Sequence, residues 1–320
     1  MSRNQSIGVA SYVSSRQPFV LGQDTIIIQC RRNQSNPKFA FFALQSDAVQ
    51  RQISSLSGGS TFSRINLRDI RKLKIPLPEI AEQTYIADVL STWDRAIKTT
   101  EKLIENSKAQ KTALMQQLLT GKKRLPGFGD EWRQYPLGQL FTERKESNRL
   151  DLSLLSITQG RGVIYRDNVG RKDTSSVDKS KYKRLCPNDI GYNTMRMWQG
   201  VSALSDKEGI VSPAYTVVTP NQDVHPRYMA YLFKLPETAH DFYRHSQGLV
   251  SDTWNLKFPN FSEVKVMIPA QPEQEAIAGI LQGGDREIEK LTQHLENLRR
   301  QKKALMQQLL TGKRRTNVTE

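Results

Sequence analysis

The sequence predicts an α+β chain in which mixed α/β globules are separated by two long helices that pair as an antiparallel coiled coil. Three observations predict it. A 14-residue segment recurs almost unchanged 191 positions along the chain. Each copy closes a stretch with sustained seven-residue apolar spacing. The residues between those stretches alternate strand-like and helix-like runs.

The repeat comes first because it organises the rest. Residues 111–124 read KTALMQQLLTGKKR and residues 302–315 read KKALMQQLLTGKRR, identical at 12 of 14 positions. The same offset aligns Pro78 with Pro269, Glu82 and Gln83 with Glu273 and Gln274, and Asp94 with Asp285. A match of this length without gaps reflects duplication. It divides the chain into residues 1–74 (a partial module), 75–123 (a first spacer helix), 124–268 (a complete module), 269–315 (a second spacer helix) and a tail at 316–320.

Residues 75–123 lack Gly and Pro from Glu79 to Thr120. Their apolar line is Ile86, Leu90, Trp93, Ile97, Ile104, Leu114 and Leu118, with Thr100, Ser107 and Lys111 filling the same heptad series. The second copy runs Ile277, Leu281, Ile288, Leu291, Leu295, Leu298, Leu305 and Leu309, with Gly284 and Lys302 in series. Such spacing marks a coiled-coil seam. A Lys at the same seam position in both copies weakens packing but selects register. Gly121 and Gly312 suit left-handed helix ends. About 40 residues at ~1.5 Å each make a rod of about 60 Å. Pairing within one chain, in opposite directions, would hold the intervening modules at opposite ends. Two helices from separate all-helical domains, or one coiled coil that dimerises between chains, are the competing arrangements.

In residues 124–268 the runs LSLLSITQGRGVIY, GIVSPAYTVVTP and VKVMIP read as strands, and HPRYMAYLFKL and ETAHDFYRHSQG as short helices. Residues 1–74 match only the second half of this module: QDTIIIQC pairs with PAYTVVTP, NPKFAFFAL with HPRYMAYLF, and INLRDIRKLKIPLP with LKFPNFSEVKVMIP. Nothing in them corresponds to residues 125–199. A globule with half its strands should expose apolar edges unless another segment covers them. Either the chain is truncated, or the missing half comes from another polypeptide or an upstream start.

The formal net charge of +15 is uneven. Residues 1–74 hold 11 Lys and Arg against 3 acids, while residues 75–122 hold 6 of each. In the complete module, residues 161–184 carry 8 cations and 3 acids. Such concentration points to a polyanion, most directly nucleic acid. Charge alone does not separate this from an ordinary solvated surface.

Several classes are excluded. No run approaches the ~18 apolar residues of a membrane span, and the first residues lack a signal peptide's apolar core, so the expectation is a cytoplasmic chain without a membrane partner. With only Cys30 and Cys186 there is no disulfide framework or multi-cysteine zinc site. His240 and His245 have no third ligand nearby. No phosphate loop of the Gly-x-x-x-x-Gly-Lys type occurs. No cofactor and no catalytic residue is expected.

Base readout needs Arg, Lys, Asn or Gln in a groove, and phosphate contact needs positive charge. Gln159 and Arg161 flank a small-residue loop. Arg166, Lys172, Lys181, Lys183 and Arg184 belong to the basic run, with Arg171 and Lys179. Asn193, Arg196 and Gln199 interleave with large side chains in YNTMRMWQ. In residues 1–74 the candidate is Arg64, followed by Arg3, Asn4 and Arg16.

These residues resemble the DNA-sequence specificity subunit of type I restriction-modification enzymes. The resemblance spans nearly the whole chain. It is carried by LPEIAEQTYIADVL and PAQPEQEAIAGIL at the helix starts, ALMQQLLTGK at both ends, and RLPGFGDEWRQYPLGQL after the first end. It implies that each module is a target-recognition domain reading one half of a bipartite site on double-stranded DNA. It also implies that the helices set the spacing and dock two methyltransferase subunits, that restriction subunits join through that core, and that the subunit itself has no catalytic chemistry. The departure in residues 1–74 puts the first half-site in doubt. It leaves open a half-type subunit that self-associates, or a scaffold that reads no DNA.

Overall fold

A computed structural model gives the fold and describes all residues except 4–5, 15–17, 19, 32, 59–63, 159, 171–175, 250–252 and 316–320, which include the whole expected tail. In chain order the helices α1 (Pro37–Gln45), α2 (Asp47–Leu56), α3 (Leu67–Ile70) and α4 (Ile80–Leu118) come first. Then follow β1 (Arg133–Pro136), α5 (Leu137–Leu140), β2 (Phe141–Glu143), β3 (Leu155–Thr158), β4 (Gly162–Tyr165), β5 (Lys183–Leu185) and β6 (Ile190–Asn193). The chain continues through β7 (Ser202–Leu204), β8 (Gly209–Val211), β9 (Tyr215–Pro220), α6 (Pro226–Leu232), α7 (Pro236–His245), α8 (Phe258–Glu263), β10 (Lys265–Ile268) and α9 (Gln271–Leu309). Two compact units result: Met1–Asn106 with Glu289–Glu320, and Ser107–Ile288.

The first unit is mainly helical. Asn36 starts α1, its Oδ1 accepting from the amides of Lys38 at 2.9 Å and Phe39 at 3.2 Å, and Pro37 takes the first helical position. Phe39, Phe42 and Ala43 of α1 then pack on Ile86, Ala87 and Leu90 of α4 and on Leu309 of α9. Leu44, Val49, Ile53 and Ile65 form a second cluster. QDTIIIQC forms no strand among the described residues; only Thr25 bridges Ser2. Its β-branched run has the right side chains, but a strand needs a ladder partner. Met1–Arg3 supplies one only as far as Ile26.

In this unit α4 and the second part of α9 run in opposite directions. Glu82 pairs with Arg315 at 2.8 Å, Asp94 with Lys302 at 2.5 Å and Glu101 with Arg299 at 2.6 Å, so partner numbers fall as α4 advances. The second unit repeats the arrangement with the roles of the two helices exchanged. Ser107 donates to Glu287 at 3.4 Å, Lys111 pairs with Asp285 at 2.5 Å and Arg124 with Glu273 at 2.7 Å. The fold is thus α+β with two 39-residue helices paired antiparallel.

The seam Lys residues are only 13% (Lys302) and 19% (Lys111) exposed as side chains. Each lays its ammonium over an aromatic ring, Lys302 over Phe42 at 5.1 Å and Lys111 over Tyr231 at 5.0 Å. The helix starts use a second duplicated device. Gln83 Oε1 accepts from the amide of Asn36 at 2.8 Å, and its Nε2 donates to the carbonyl of Pro78 at 2.7 Å. Gln274 Oε1 accepts from the amide of His225 at 2.9 Å, and its Nε2 donates to the carbonyl of Pro269 at 2.9 Å. Asn36 and His225 are the residues that cap α1 and α6. The helix ends match too. Gly121 and Gly312 both have φ of 70°, and the amides of Lys123 and Arg314 close back on the carbonyls of Gln117 and Gln308. That closure turns Arg124 and Arg315 back toward the buried Glu273 and Glu82.

The second unit centres on a four-stranded sheet ordered β2-β9-β6-β7, with two-stranded pairs β1-β10, β3-β4 and β5-β8 beside it. Its largest core joins Phe141, Ile190, Tyr192 and Val218 of the sheet to Tyr228, Phe233, Phe242 and Phe261. Leu118, Ile277 and Leu281 of the long helices enter the same cluster.

Of the seam residues, Ile86, Leu90, Ile104, Leu118, Ile277, Leu281, Leu295 and Leu309 are buried. Trp93, Ile97, Leu114, Ile288, Leu291, Leu298 and Leu305 are half-buried. Full burial thus favours positions where a module also packs on the stripe. Leu281→Ala is expected to cost about 2–5 kcal/mol, because the site is fully enclosed, and Leu298→Ala less than half of that loss, as measured by urea unfolding.

Candidate nucleic-acid interface

The second unit places three of the sequence-predicted residues around one cleft of about 600 Å³: Arg166, Lys181 and Asn193. They come from three different segments. The β3-β4 hairpin, registered Leu155 to Tyr165 and Thr158 to Gly162, delivers Arg166 at the first position of a 3-10 turn, Arg166–Val169. The amide of Arg166 donates to the carbonyl of Leu154 at 2.9 Å, which seats the turn on the hairpin. Lys181 is exposed just before β5. Asn193 ends β6, and its Oδ1 accepts from the amide of Met195 at 3.0 Å, turning the chain sharply out of the sheet.

Tyr182, Tyr215 and Ser156 are also among its lining residues. Burial raises the Tyr215 phenol above its ordinary range, although Arg166, Arg196 and a hydrogen bond with Asn193 pull it down. Tyr215 therefore stays a neutral hydroxyl at neutral pH. The cleft brings together two cations, an amide and a phenol, groups of the kind that can engage phosphates and base edges. Asp178 is the one acid among its lining residues.

Arg196 and Gln199 are exposed on the loop that follows Asn193. Arg196 precedes a second 3-10 turn, Met197–Gln199, whose Met197 is buried and anchors the loop. Arg161 is exposed at the tip of the β3-β4 hairpin, where its Nη1 donates to the carbonyl of Asn168 at 3.3 Å. Gln159, Arg171 and Lys172 lie outside the described residues, as do Asn4 and Arg16.

Lys183 and Arg184 are placed differently. Lys183 pairs with Glu143 at 3.5 Å. Arg184 bonds Glu146 at 2.9 Å and Glu208 at 2.5 Å. Strand pairing brings these acids from well outside the basic run, so part of its charge is already matched. In the first unit Arg64 lies 3.3 Å from Asp24, and Arg3 Nε donates to the carbonyl of Ile65 at 3.2 Å.

Elsewhere in the second unit, Asp189 organises the turn between β5 and β6. It is 1% exposed. Its carboxylate accepts from Arg144 Nε at 2.7 Å and Nη2 at 3.1 Å, from the Thr219 hydroxyl at 2.8 Å and from the amide of Cys186 at 2.8 Å. That carboxylate in turn holds the Arg144 guanidinium above its ordinary range. The sequence alone does not pair Asp189 with Arg144. No local signal marks a salt bridge 45 residues apart. Tyr182 and Tyr215 were likewise missed, because an isolated Tyr in a strand pattern reads as core.

A family model described as "Type I restriction modification DNA specificity domain" matches residues 1–107 and 129–300. The chain is 22% identical over 341 residues to a putative type I restriction enzyme MjaX specificity subunit of Methanocaldococcus jannaschii, covering 98% of this chain and 76% of that protein. It is 23% identical over 287 residues to the type I restriction enzyme MjaVIII specificity subunit of the same organism, covering 82% and 67%. The fold is similar to the crystal structure of a type I restriction-modification system S subunit from M. genitalium, with a TM-score of 0.56 at 16% identity, covering 88% of this chain and 74% of that one.

Asp189→Ala is expected to lower stability by about 3–5 kcal/mol, because it strands the half-buried Arg144 and two further donors. Urea unfolding of the purified chain measures it.

Proposed function

We propose that this chain, which belongs to the type I restriction-modification DNA specificity family, is a non-catalytic DNA-specificity subunit whose second unit reads DNA through the cleft at Arg166, Lys181 and Asn193. The observation that carries the assignment of the cleft is convergence. Two cations, an amide and a neutral phenol from separate segments line one opening. Lysines and arginines on phosphates supply salt-dependent affinity, while Asn and Gln discriminate base edges. In this reading Arg166 and Lys181 hold the backbone, with Arg161 and Arg196 extending the track. Asn193 and Gln199 read bases. Lys183 and Arg184 keep the strands together instead.

Residues 124–268 then act as a complete target-recognition domain and residues 1–74 as a partial one, with the helix regions 75–123 and 269–315 as spacer. The family supports assembly with methyltransferase and restriction subunits on DNA. Two methyltransferase subunits would dock on the exposed helix faces, which include Lys98, Lys102, Lys108, Gln110 and Gln116 on α4. No helix among the described residues is long and apolar enough to cross a membrane. The subunit directs its partners to a bipartite site, and methylation and cleavage belong to those partners.

The test is fluorescence anisotropy with the chain's methyltransferase complex over a salt series. Arg166→Gln is expected to weaken cognate and random duplexes alike and to reduce the slope of log affinity against log salt by about 1. Asn193→Ala is expected to remove about 1–3 kcal/mol of discrimination at one base pair. Arg184→Gln should leave the salt slope unchanged. Equal slopes for wild type and Arg166→Gln would remove the cleft from the reading.

A further inference from the structure

Residues 194–200 follow β6 and expose Arg196 and Gln199 to solvent. Two kinds of contact hold this loop on the segment that joins α7 to α8. The first is main-chain. The amide of Leu256 donates to the carbonyl of Thr194 at 2.8 Å, while Gln247 and Asn255 exchange amide-to-carbonyl bonds of 2.9 and 2.8 Å. The second is aromatic. Trp198 and Trp254 meet edge to face, with ring centroids 5.2 Å apart and planes at 89°. Tyr243 of α7 packs on Trp254 with centroids 4.7 Å apart. Trp198 Nε1 also donates to the carbonyl of Met195 at 3.1 Å, closing the loop on itself.

The duplication separates these two kinds of contact. The main-chain contacts recur in the first unit, where the amide of Ile65 donates to the carbonyl of Arg3 at 3.2 Å and Gly58 and Arg64 exchange bonds of 3.1 and 3.0 Å. Ile65 and Arg3 stand 191 positions before Leu256 and Thr194, so this attachment belongs to the shared module. The aromatic contact does not. The residues 191 positions before Trp198 and Trp254 are Ile7 and Ser63, which cannot form a ring pair. Past Thr194, the second unit's loop is held by Met197 in the core and by the Trp pair. An edge-to-face pair has a preferred geometry and stabilises beyond its buried area.

We propose that Trp198 and Trp254 are positioning residues for base reading. The inference rests on the reading in which Gln199 contacts a base edge, and adds that the Trp pair sets where Gln199 stands before DNA arrives. A loop already held in its binding geometry loses less affinity to ordering. A bidentate amide contact with a base edge tolerates little displacement, whereas attraction between a cation and phosphates tolerates more. Loss of the pair therefore lowers discrimination between sequences and leaves non-specific affinity in place.

The experiment uses the full chain assembled with its methyltransferase subunits. The probe is a library of randomised duplexes, from which the wild-type complex selects its preferred sequence. Fluorescence anisotropy then compares that selected duplex with a random one. Trp254→Leu keeps an apolar side chain and removes the ring; it is expected to lower the selected-to-random affinity ratio about fivefold, with random-duplex affinity and salt slope unchanged. Trp254→Phe, which retains a ring, should recover most of the ratio. Trp198→Leu breaks the same pair from the other side, should give the same loss, and carries the test if Trp254→Leu fails to fold by circular dichroism. Gln199→Ala should lower the ratio as well, and adding Trp254→Leu to it should cost little more, because a positioning residue acts through the residue it positions. The proposal is overturned if the Trp variants keep the wild-type ratio while Gln199→Ala lowers it. Equal losses on both duplexes, or fully additive losses in the double variant, would overturn it too. A wild-type complex that selects no sequence, or a Gln199→Ala ratio equal to wild type, would remove the reading itself and this inference with it.

Discussion

Two 39-residue helices each carry one apolar stripe, and neither can bury it alone. An isolated helix with a polar majority is marginal in water, so its stability must come from packing that stripe. The pairing direction is set by charge at the seam. Because the helices are duplicates, pairing them in parallel with equivalent positions aligned would set Lys111 against Lys302 and Asp94 against Asp285. Antiparallel pairing sets each Lys against an Asp. Like charges in a seam repel and unlike charges attract, so the alternative is penalised as well as the native arrangement favoured.

The modules are tied to the helices by the same duplicated chemistry. A Gln at each helix start hydrogen-bonds the cap of a module helix, and a buried Glu beside it takes the Arg that follows the other helix's glycine turn. These contacts explain why the repeated motifs have the residues they do: Glu and Gln at the start, Gly and a trailing Arg at the end. The position of each module on its helices is thereby specified by buried polar groups, which are costly to leave unpaired. For a subunit whose task is to present DNA-reading loops, a fixed attachment preserves binding energy that flexible mounting would lose to ordering.

The two helices and the glycines at their ends were legible in the sequence because duplication and heptad spacing are local patterns, while the direction of pairing rests on the Lys–Asp contacts across the seam. The strands β3, β4, β9 and β10 were legible from β-branched runs for the same reason. QDTIIIQC was not, because strand formation depends on a partner that the pattern cannot report. The cleft was legible only in pieces. Arg166, Lys181 and Asn193 were singled out, yet their convergence depends on a hairpin, a turn and the end of a sheet strand. The matched charges of Lys183 and Arg184 were invisible because Glu143, Glu146 and Glu208 arrive through strand pairing.

The measurement that bears most directly on this account is zero-length carbodiimide cross-linking of an equal mixture of isotopically heavy and light full-length chains, read by mass spectrometry. The account expects amide links between Lys302 and Asp94 and between Lys111 and Asp285, each joining residues of a single isotope. Links that join heavy to light chains, or that tie Lys302 to acids near the C-terminal end of α4 instead of Asp94, would contradict it.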